Sequence, residues 1–274
     1  MTDTEIEDLL GVAHAMADAA RAPVMRHFRA VDLSADNKRV DGFDPVTIAD
    51  REAELAMRAV LAKARPQDAI LGEEAAPKAG SSGLTWVIDP IDGTRSFLCG
   101  APVFGVLIAL HDGARPILGI IDQPYIGERF IGVPPGVADG APPHAEMVRG
   151  AGRRALSVRP PRPLGEATLL STFPEVGTAQ ERAGFESVSR RARLTRYGLD
   201  CYGYALLALG QVDLVIEAGL QPYDVQAPIA VVQAAGGIVS DWRGRPADQG
   251  GQVIAASDAA LHREALALLA PFAA

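Results

Sequence analysis

Two carboxylates lie three residues apart at the end of an apolar run, and residues of this type and spacing can bind a divalent cation. Trp86-Val87-Ile88 is apolar and largely β-branched, which predicts a buried strand, and Asp89-Pro90-Ile91-Asp92-Gly93-Thr94 follows it directly. Pro90 fixes its own φ and keeps Asp89 out of the helical region, so the backbone should kink where the acids lie. Because two carboxylates aimed together repel each other, this stretch predicts a hard cation between them.

The two residues after the acids suit a phosphate group. Gly93 lets the main chain approach a ligand closely, and Thr94 places a hydroxyl beside the acids and can begin a helix, whose free N–H groups favour an anion. The alternative is a plain β-turn, of which Asp-Gly is typical. Acid, proline, acid, glycine and threonine together after a buried strand favour chemistry over a plain turn.

The stretch 86–97 resembles the metal-binding signature of the inositol monophosphatase superfamily of magnesium-dependent, lithium-sensitive phosphomonoesterases. The resemblance covers nearly the whole chain. It implies an α/β (α+β) fold, a layered αβαβα sandwich of the inositol monophosphatase and sugar phosphatase type, and a homodimer. We expect an N-terminal α+β half, residues 1–150, with an antiparallel sheet and the signature, and a C-terminal α/β half, residues 151–274, closely packed as one functional unit.

The resemblance adds further metal ligands. Glu73, in Gly72-Glu73-Glu74 after a short strand, and Asp224, in Tyr223-Asp224-Val225 before a helix, match ligand positions of the family, and the Ile91 carbonyl is implied as another. The residues alone also allow a solvated turn for Glu73 and a helix N-cap for Asp224. Thr47-Ile48-Ala49-Asp50 predicts a capping box, and the resemblance places Asp50 where it could hold a metal-bound water.

All of these donors are oxygens, which suits Mg²⁺, with Mn²⁺ as a substitute, and argues against zinc. Two or three ions would share the acids. The predicted reaction is hydrolysis of a phosphate monoester by in-line attack of a metal-bound water. The predicted catalytic residues are Glu73, Asp92 and Thr94, with Glu73 and the Thr94 hydroxyl orienting and deprotonating the water. The N–H groups of Gly93 and Thr94 would hold the phosphate.

Within the superfamily, the histidinol-phosphatase branch is the most similar. Arg95-Ser96-Phe97 stands where that branch typically has Lys-Ser-Phe and inositol phosphatases have Thr-Asn-Phe, and residues 119–124, 194–202 and 217–224 also resemble the branch. Arg95, a predicted substrate contact, keeps the charge of lysine but changes its hydrogen-bond geometry. Ser171-Thr172-Phe173-Pro174 departs from the Thr-Ser-Pro of the branch.

The substrate of that branch is histidinol phosphate, which carries an ammonium group and an imidazole, so its site needs acidic partners. Asp200 and Glu217 are of the right type, although a helix N-cap and a surface acid are their alternative roles. We therefore predict a histidinol-phosphatase of histidine biosynthesis. The alternatives are an inositol-1-monophosphatase or another small sugar or polyol monophosphatase and, more distantly, a non-catalytic metal- or phosphate-binding regulator.

Composition narrows the class of protein. The 274 residues carry a net charge of −8 with no basic run, so we expect a small phosphorylated metabolite and no nucleic acid as partner. The acidic N-terminus lacks a signal peptide, no apolar run could span a membrane, and Cys99 and Cys201 suggest no disulfide framework. These features predict a cytoplasmic protein.

Three segments carry structural predictions of their own. The polar segment 30–46 is interpreted as a mobile flap or a plain loop, and 134–152 as an exposed loop or hairpin tip that marks the boundary between the halves. Residues 226–235 predict a helix with Pro228 in its first turn.

Overall fold

The computed structural model describes residues 1–31, 33–37, 45–137 and 142–274. The α-helices are α1 (Asp3–His27), α2 (Ile48–Ala64), α3 (Thr94–Leu98), α4 (Ala179–Ser189), α5 (Tyr202–Ala208), α6 (Pro222–Ala234) and α7 (Ala259–Leu269). The strands are β1 (Ala35–Asn37), β2 (Pro45–Thr47), β3 (Ala69–Gly72), β4 (Thr85–Asp92), β5 (Gly105–His111), β6 (Pro116–Gln123), β7 (Glu128–Val133), β8 (His144–Arg149), β9 (Gly152–Ala155), β10 (Thr168–Ser171), β11 (Leu194–Tyr197), β12 (Leu214–Leu220), β13 (Ile238–Ser240) and β14 (Gly251–Ala256). Short 3₁₀ helices lie at 164–166 and 270–272.

A seven-stranded sheet runs in the order β3 to β9 within the described part of the chain. Its strands are antiparallel except for the parallel pair β3 and β4. Side chains alternate between its faces, as the pleat requires. Trp86 and Ile88 face a core formed with α1 and α2, whereas Val87 faces the core on the other side. Both faces of β4 are therefore buried, which explains why its sequence is a continuous apolar run.

A five-stranded sheet in the order β11-β10-β12-β14-β13 forms the second β-layer of the described residues. Helices α5 and α6 lie between the two sheets, and α4 and α7 pack together with β14 on the outer face. The layers are thus helix, sheet, helix, sheet, helix, and the predicted α/β sandwich is confirmed.

The helix α6 packs directly on the seven-stranded sheet because two glycines leave room for it. A Cβ at Gly119 would lie 2.5 Å from the Ala227 carbonyl oxygen, and one at Gly132 would lie 2.5 Å from the Val231 Cα. Neither space is enough for a methyl group. This close contact fixes the position of α6, and with it the acid in its first turn.

Local sequence signals explain the elements around the predicted site. Thr47 and Asp50 form the predicted capping box at the start of α2. Where β4 passes Pro90, its register with β5 shifts, because Asp89 pairs with Leu107 but Asp92 pairs with Gly105. One extra residue in β4 is the mark of a β-bulge, so the predicted kink is present at the acids.

Some predictions need correction. Pro228 lies in the interior of α6, not in its first turn, because the helix begins at Pro222. Residues 134–152 contain β8 and the turn of its hairpin with β9, so the predicted hairpin tip is present, and the division of the chain into halves at residue 150 stays a prediction. In the segment 30–46, β1 pairs with β2, and residues 32 and 38–44 lie outside the described residues, so a flap there stays a prediction.

None of the described helices has both the length and the hydrophobicity for a membrane span.

Candidate functional site

Three aspartates from distant parts of the chain meet at one point. Asp89 and Asp92 lie at the bulged end of β4, and Asp224 is the third residue of α6. One carboxylate oxygen from each lies within 4.8 Å of the others. The sequence placed Asp224 correctly beside a helix start, but its interpretation as an N-cap is wrong, since Gln221 holds that position.

Backbone N–H groups orient each of the three carboxylates. Asp89 Oδ1 accepts a hydrogen bond from the Ile91 N–H at 2.9 Å, and Asp224 Oδ2 accepts one from the Gln221 N–H at 2.7 Å. Asp92 Oδ2 accepts one from the Cys201 N–H at 2.6 Å, across 109 residues of sequence. A backbone group of the second half of the chain thus orients Asp92, an acid of the first half.

A fourth acid, Glu73, lines the same cavity, at the turn after β3. Burial raises the pKa of Asp89 well above its ordinary value, and neighbouring carboxylates raise it further. Those carboxylates belong to Glu73, Asp92 and Asp224. The other three acids therefore lie close enough to Asp89 to repel its charge.

Gly93 and Thr94, which follow the acids in sequence, also line the cavity. Gly93 has φ 85°, a left-handed conformation that suits glycine, and a Cβ there would lie 2.9 Å from the Asp200 carboxyl carbon. Thr94 Oγ1 donates a hydrogen bond to the Ile91 carbonyl oxygen at 3.2 Å. The predicted carbonyl ligand and the predicted catalytic hydroxyl are therefore in contact.

The cavity has a volume of about 580 Å³ and brings the predicted substrate residues to the same place as the aspartates. Asp200, Glu217 and Arg95 all line it. Burial raises the pKa of Asp200, while the Ser96 hydroxyl, which donates to Asp200 Oδ2 at 2.6 Å, and the Arg95 guanidinium oppose the rise. Asp200 is not the N-cap of α5, a position held by Cys201.

Glu217 is buried and is not the surface acid that was its alternative. Burial raises its pKa to about 7, although hydrogen bonds from Thr172 and Ser171 act in the opposite direction. The Thr172 N–H and hydroxyl both donate to Glu217 Oε1, at 2.6 and 2.9 Å. The raised pKa means that the protein alone stabilises the charged form of Glu217 poorly, and a cationic ligand would supply that stabilisation.

Asp50 is buried and does not line the cavity. Its Oδ2 accepts hydrogen bonds from the N–H and hydroxyl of Thr47, at 2.8 and 2.6 Å. Its Oδ1 is buried and, within the described residues, has no hydrogen-bond partner. An indirect role, through a water, fits this oxygen.

Several supporting residues were not indicated by any motif. Glu54 is buried and accepts hydrogen bonds from the N–H groups of Glu74 and Ala75, so it holds the turn that carries Glu73. It lies four residues after Asp50 on the same face of α2, and that spacing is the signal that could have indicated it. The Cys201 N–H has no such signal, because a backbone group leaves no trace in the sequence.

The donor set fits a divalent cation of the hard class. Within the described residues the cluster of potential ligands contains carboxylates and no histidine or thiolate. Carboxylate oxygens held within a few ångströms of one another repel until a cation lies among them. The cluster can therefore bind a metal ion.

Comparisons with known proteins agree over nearly the whole chain. The family model described as "Inositol monophosphatase family" matches residues 5–272. A bifunctional phosphatase, IMPL2, of Arabidopsis thaliana is 38% identical over 97% of this chain and 76% of its own length. A histidinol-phosphatase of Streptomyces coelicolor is 36% identical over 96% of this chain and 97% of its own.

Solved structures share the fold. The structure of an inositol monophosphatase from Zymomonas mobilis superimposes with a TM-score of 0.82 at 41% identity, and the match covers 96% of this chain and 98% of that chain.

Proposed function

Because this chain belongs to the inositol monophosphatase family, we propose that it is a Mg²⁺-dependent phosphomonoesterase that hydrolyses L-histidinol phosphate to L-histidinol and phosphate. This reaction would place it in histidine biosynthesis. The observation that carries the proposal is the meeting of Asp89, Asp92 and Asp224 in one cavity with two further acids, Asp200 and Glu217.

We assign the metal to the carboxylates and one carbonyl. The proposed ligands are Glu73, Asp89, Ile91 through its carbonyl, Asp92 and Asp224. An all-oxygen set favours Mg²⁺, with Mn²⁺ as a working substitute and two or three ions in the site. When bound, the cations neutralise phosphate charge and lower the pKa of the attacking water.

The chain's own groups orient the reactants. Glu73 and the Thr94 hydroxyl orient the water, and Glu73 accepts its proton. The Thr94 hydroxyl already lies 3.2 Å from the Ile91 carbonyl oxygen, which supports a role beside the ligands. The N–H groups of Gly93 and Thr94 hold the phosphate, and Asp50 holds a water through its buried Oδ1.

The substrate assignment depends on charge. An amine-bearing phosphate ester brings a cation to the part of the cavity lined by Asp200 and Glu217. Both acids are fixed by hydrogen bonds, so little conformational freedom is lost when the ammonium group binds. Arg95 lines the same cavity, which supports its proposed role as a further substrate contact.

An inositol or other polyol monophosphatase is the second candidate. It is favoured by the likeness to the inositol monophosphatase of Zymomonas mobilis. The same acids would bind the same cations, so only the leaving group separates the two functions. Homodimer formation and inhibition by lithium are further proposals that come with the family.

A side-by-side assay tests the substrate. Purified protein with Mg²⁺ is given L-histidinol phosphate, inositol 1-phosphate and glycerol 2-phosphate, and released phosphate is measured. We expect kcat/KM to be highest for L-histidinol phosphate. A clear preference for inositol 1-phosphate would replace the first candidate by the second, and no hydrolysis of any ester would reject both.

A further inference from the structure

The cavity is lined in part by the aromatic ring of Phe173, and this ring has no role in the proposed reaction. It lines the cavity beside Thr172 and is 42% exposed, although large apolar side chains of this protein are mostly buried. The Arg95 guanidinium lies over its ring, with the central carbon 4.9 Å from the ring centroid. An exposed ring held in this way is available for contact with a ligand.

The backbone that carries the ring is hydrogen-bonded to an acid. Both donors of Thr172 bind Glu217 Oε1, and Ser171 Oγ lies 3.2 Å from Glu217 Oε2 and 3.4 Å from the Phe173 carbonyl oxygen. Strand β10 ends at Ser171, so residues 172 and 173 would otherwise be free loop. Glu217 therefore holds the segment that carries Phe173, and the two residues form a pair, a carboxylate and an aromatic ring that line the same cavity.

We propose that Phe173 determines substrate specificity by stacking on the heteroaromatic ring of the leaving group, while the neighbouring carboxylates take its ammonium group. This proposal rests on the proposed function and deepens it. Aromatic pairs gain affinity beyond the area that they bury, and a polyol has no π-face with which to gain it. The pair would select an amine with an aromatic ring over inositol.

A matched pair of esters isolates the contribution of the ring. L-alaninol phosphate keeps the ammonium group and phosphate of L-histidinol phosphate but has no imidazole. We expect Phe173→Leu to reduce the preference for L-histidinol phosphate over L-alaninol phosphate by about 5-fold, mostly through KM. Phe173→Tyr, which keeps a ring, should restore the preference. If Phe173→Leu leaves the preference as in the wild type, stacking is overturned.

The chain offers a control with the same local chemistry away from the cavity. Tyr125 is 43% exposed and carries the Arg29 guanidinium 4.7 Å from its ring centroid. Tyr125→Leu removes an exposed ring under an arginine and should not change the ratio of the two esters. An equal change in both leucine variants would show a general effect of lost aromatic surface and would also overturn the proposal.

Calorimetry with L-histidinol and L-alaninol separates this proposal from the proposed function. In the first outcome, the wild type does not hydrolyse L-histidinol phosphate, but it binds L-histidinol more tightly than L-alaninol, and Phe173→Leu abolishes that difference in affinity. The proposed substrate is then wrong, and the stacking proposal stands. If the ester is hydrolysed but the variant keeps the preference for L-histidinol, stacking fails and the proposed function stands. A wild type without any preference for L-histidinol overturns stacking directly.

Discussion

The buried carboxylate of Glu54 accepts a hydrogen bond from the backbone N–H of Glu74 at 2.7 Å. It also accepts hydrogen bonds from the Ala75 N–H at 3.1 Å and from Arg58 Nε at 2.7 Å. Arg58 in turn donates to the Ala75 carbonyl oxygen at 3.0 Å. Helix α2 thus holds in place the turn that carries Glu73, although Glu54 itself does not line the cavity.

We predict that Glu54→Ala weakens metal activation. The change leaves two backbone N–H groups and the Nε–H of Arg58 without their acceptor, at a cost of about 3 kcal/mol, and lets Glu73 move. The Mg²⁺ concentration for half-maximal activity should rise about 10-fold or more, and the Mg²⁺-induced increase in Tm should shrink. Glu54→Gln keeps one acceptor oxygen, so its Mg²⁺ requirement and its Mg²⁺-induced increase in Tm should lie between those of the wild type and those of Glu54→Ala.

The matched control is Glu52→Ala on the same helix. Within the described residues, the ion pairs of Glu52 are those with Arg26 and His27 at the surface, so its loss should leave both readouts near the wild type. A wild-type Mg²⁺ requirement in Glu54→Ala would show that Glu54 does not position Glu73.

Asp92→Asn should remove turnover and keep the fold. Asparagine retains an oxygen that can accept the Cys201 N–H but replaces one predicted ligand oxygen by an amide, so kcat should fall by about 100-fold or more. Burial and the charges of Asp200 and Asp224 raise the pKa of Asp92. Removal of its charge should therefore leave Tm in metal-free buffer equal or higher. Residual activity near that of the wild type would reject the assignment of Asp92.

Stability should depend on pH through Glu217. Its pKa is about 7 in the folded protein against an ordinary 4.5, so the folded state binds the proton more tightly. The resulting stabilisation is complete below about pH 4.5 and is lost as the pH rises to about 7. Glu217→Gln should therefore raise Tm in metal-free buffer by a few degrees at about pH 8 and by much less at about pH 5. An equal increase in Tm at the two pH values would contradict a raised pKa of Glu217.

A pair of glycine substitutions tests the packing of α6. The Cβ of Gly119→Ala would lie 2.5 Å from the Ala227 carbonyl oxygen, and the overpacking should cost about 1–3 kcal/mol in the free energy of unfolding. A Cβ at Gly11, inside α1, would meet no other part of the described chain within 4 Å, so Gly11→Ala should stabilise the protein by about 1 kcal/mol. Denaturant unfolding measures both. Equal effects of the two changes would mean that α6 adjusts freely.

Much of the fold could be predicted because local signals and burial patterns agree. The capping box indicated the start of α2, and Pro90 between two acids indicated the kink in β4. The helix α6 was predicted from residue 226, after Asp224 as a possible N-cap, with Pro228 in its first turn. Pro222 holds that turn, and the packed position of α6 tolerates a second proline inside the helix.

The hairpin of β8 and β9 was predicted only as an alternative to an exposed loop. Its residues are exposed or half-exposed, so no alternation of buried and exposed side chains marks the strands, and the segment before them is rich in proline and glycine. At the site, side chains with a motif were predicted. The Cys201 N–H is a backbone group and can be recognised only once the fold is known, whereas Glu54 had only its spacing from Asp50 on α2 as a signal.

The most direct test is a crystal of the protein soaked with Mn²⁺ and measured for anomalous scattering. We predict a strong Mn²⁺ peak bounded by the carboxylate oxygens of Asp89, Asp92 and Asp224, since these oxygens already lie within 4.8 Å of one another. The peak should disappear or weaken in Asp92→Asn crystals. Saturating Mn²⁺ without a peak at these three carboxylates would contradict the metal centre and the phosphatase chemistry that depends on it.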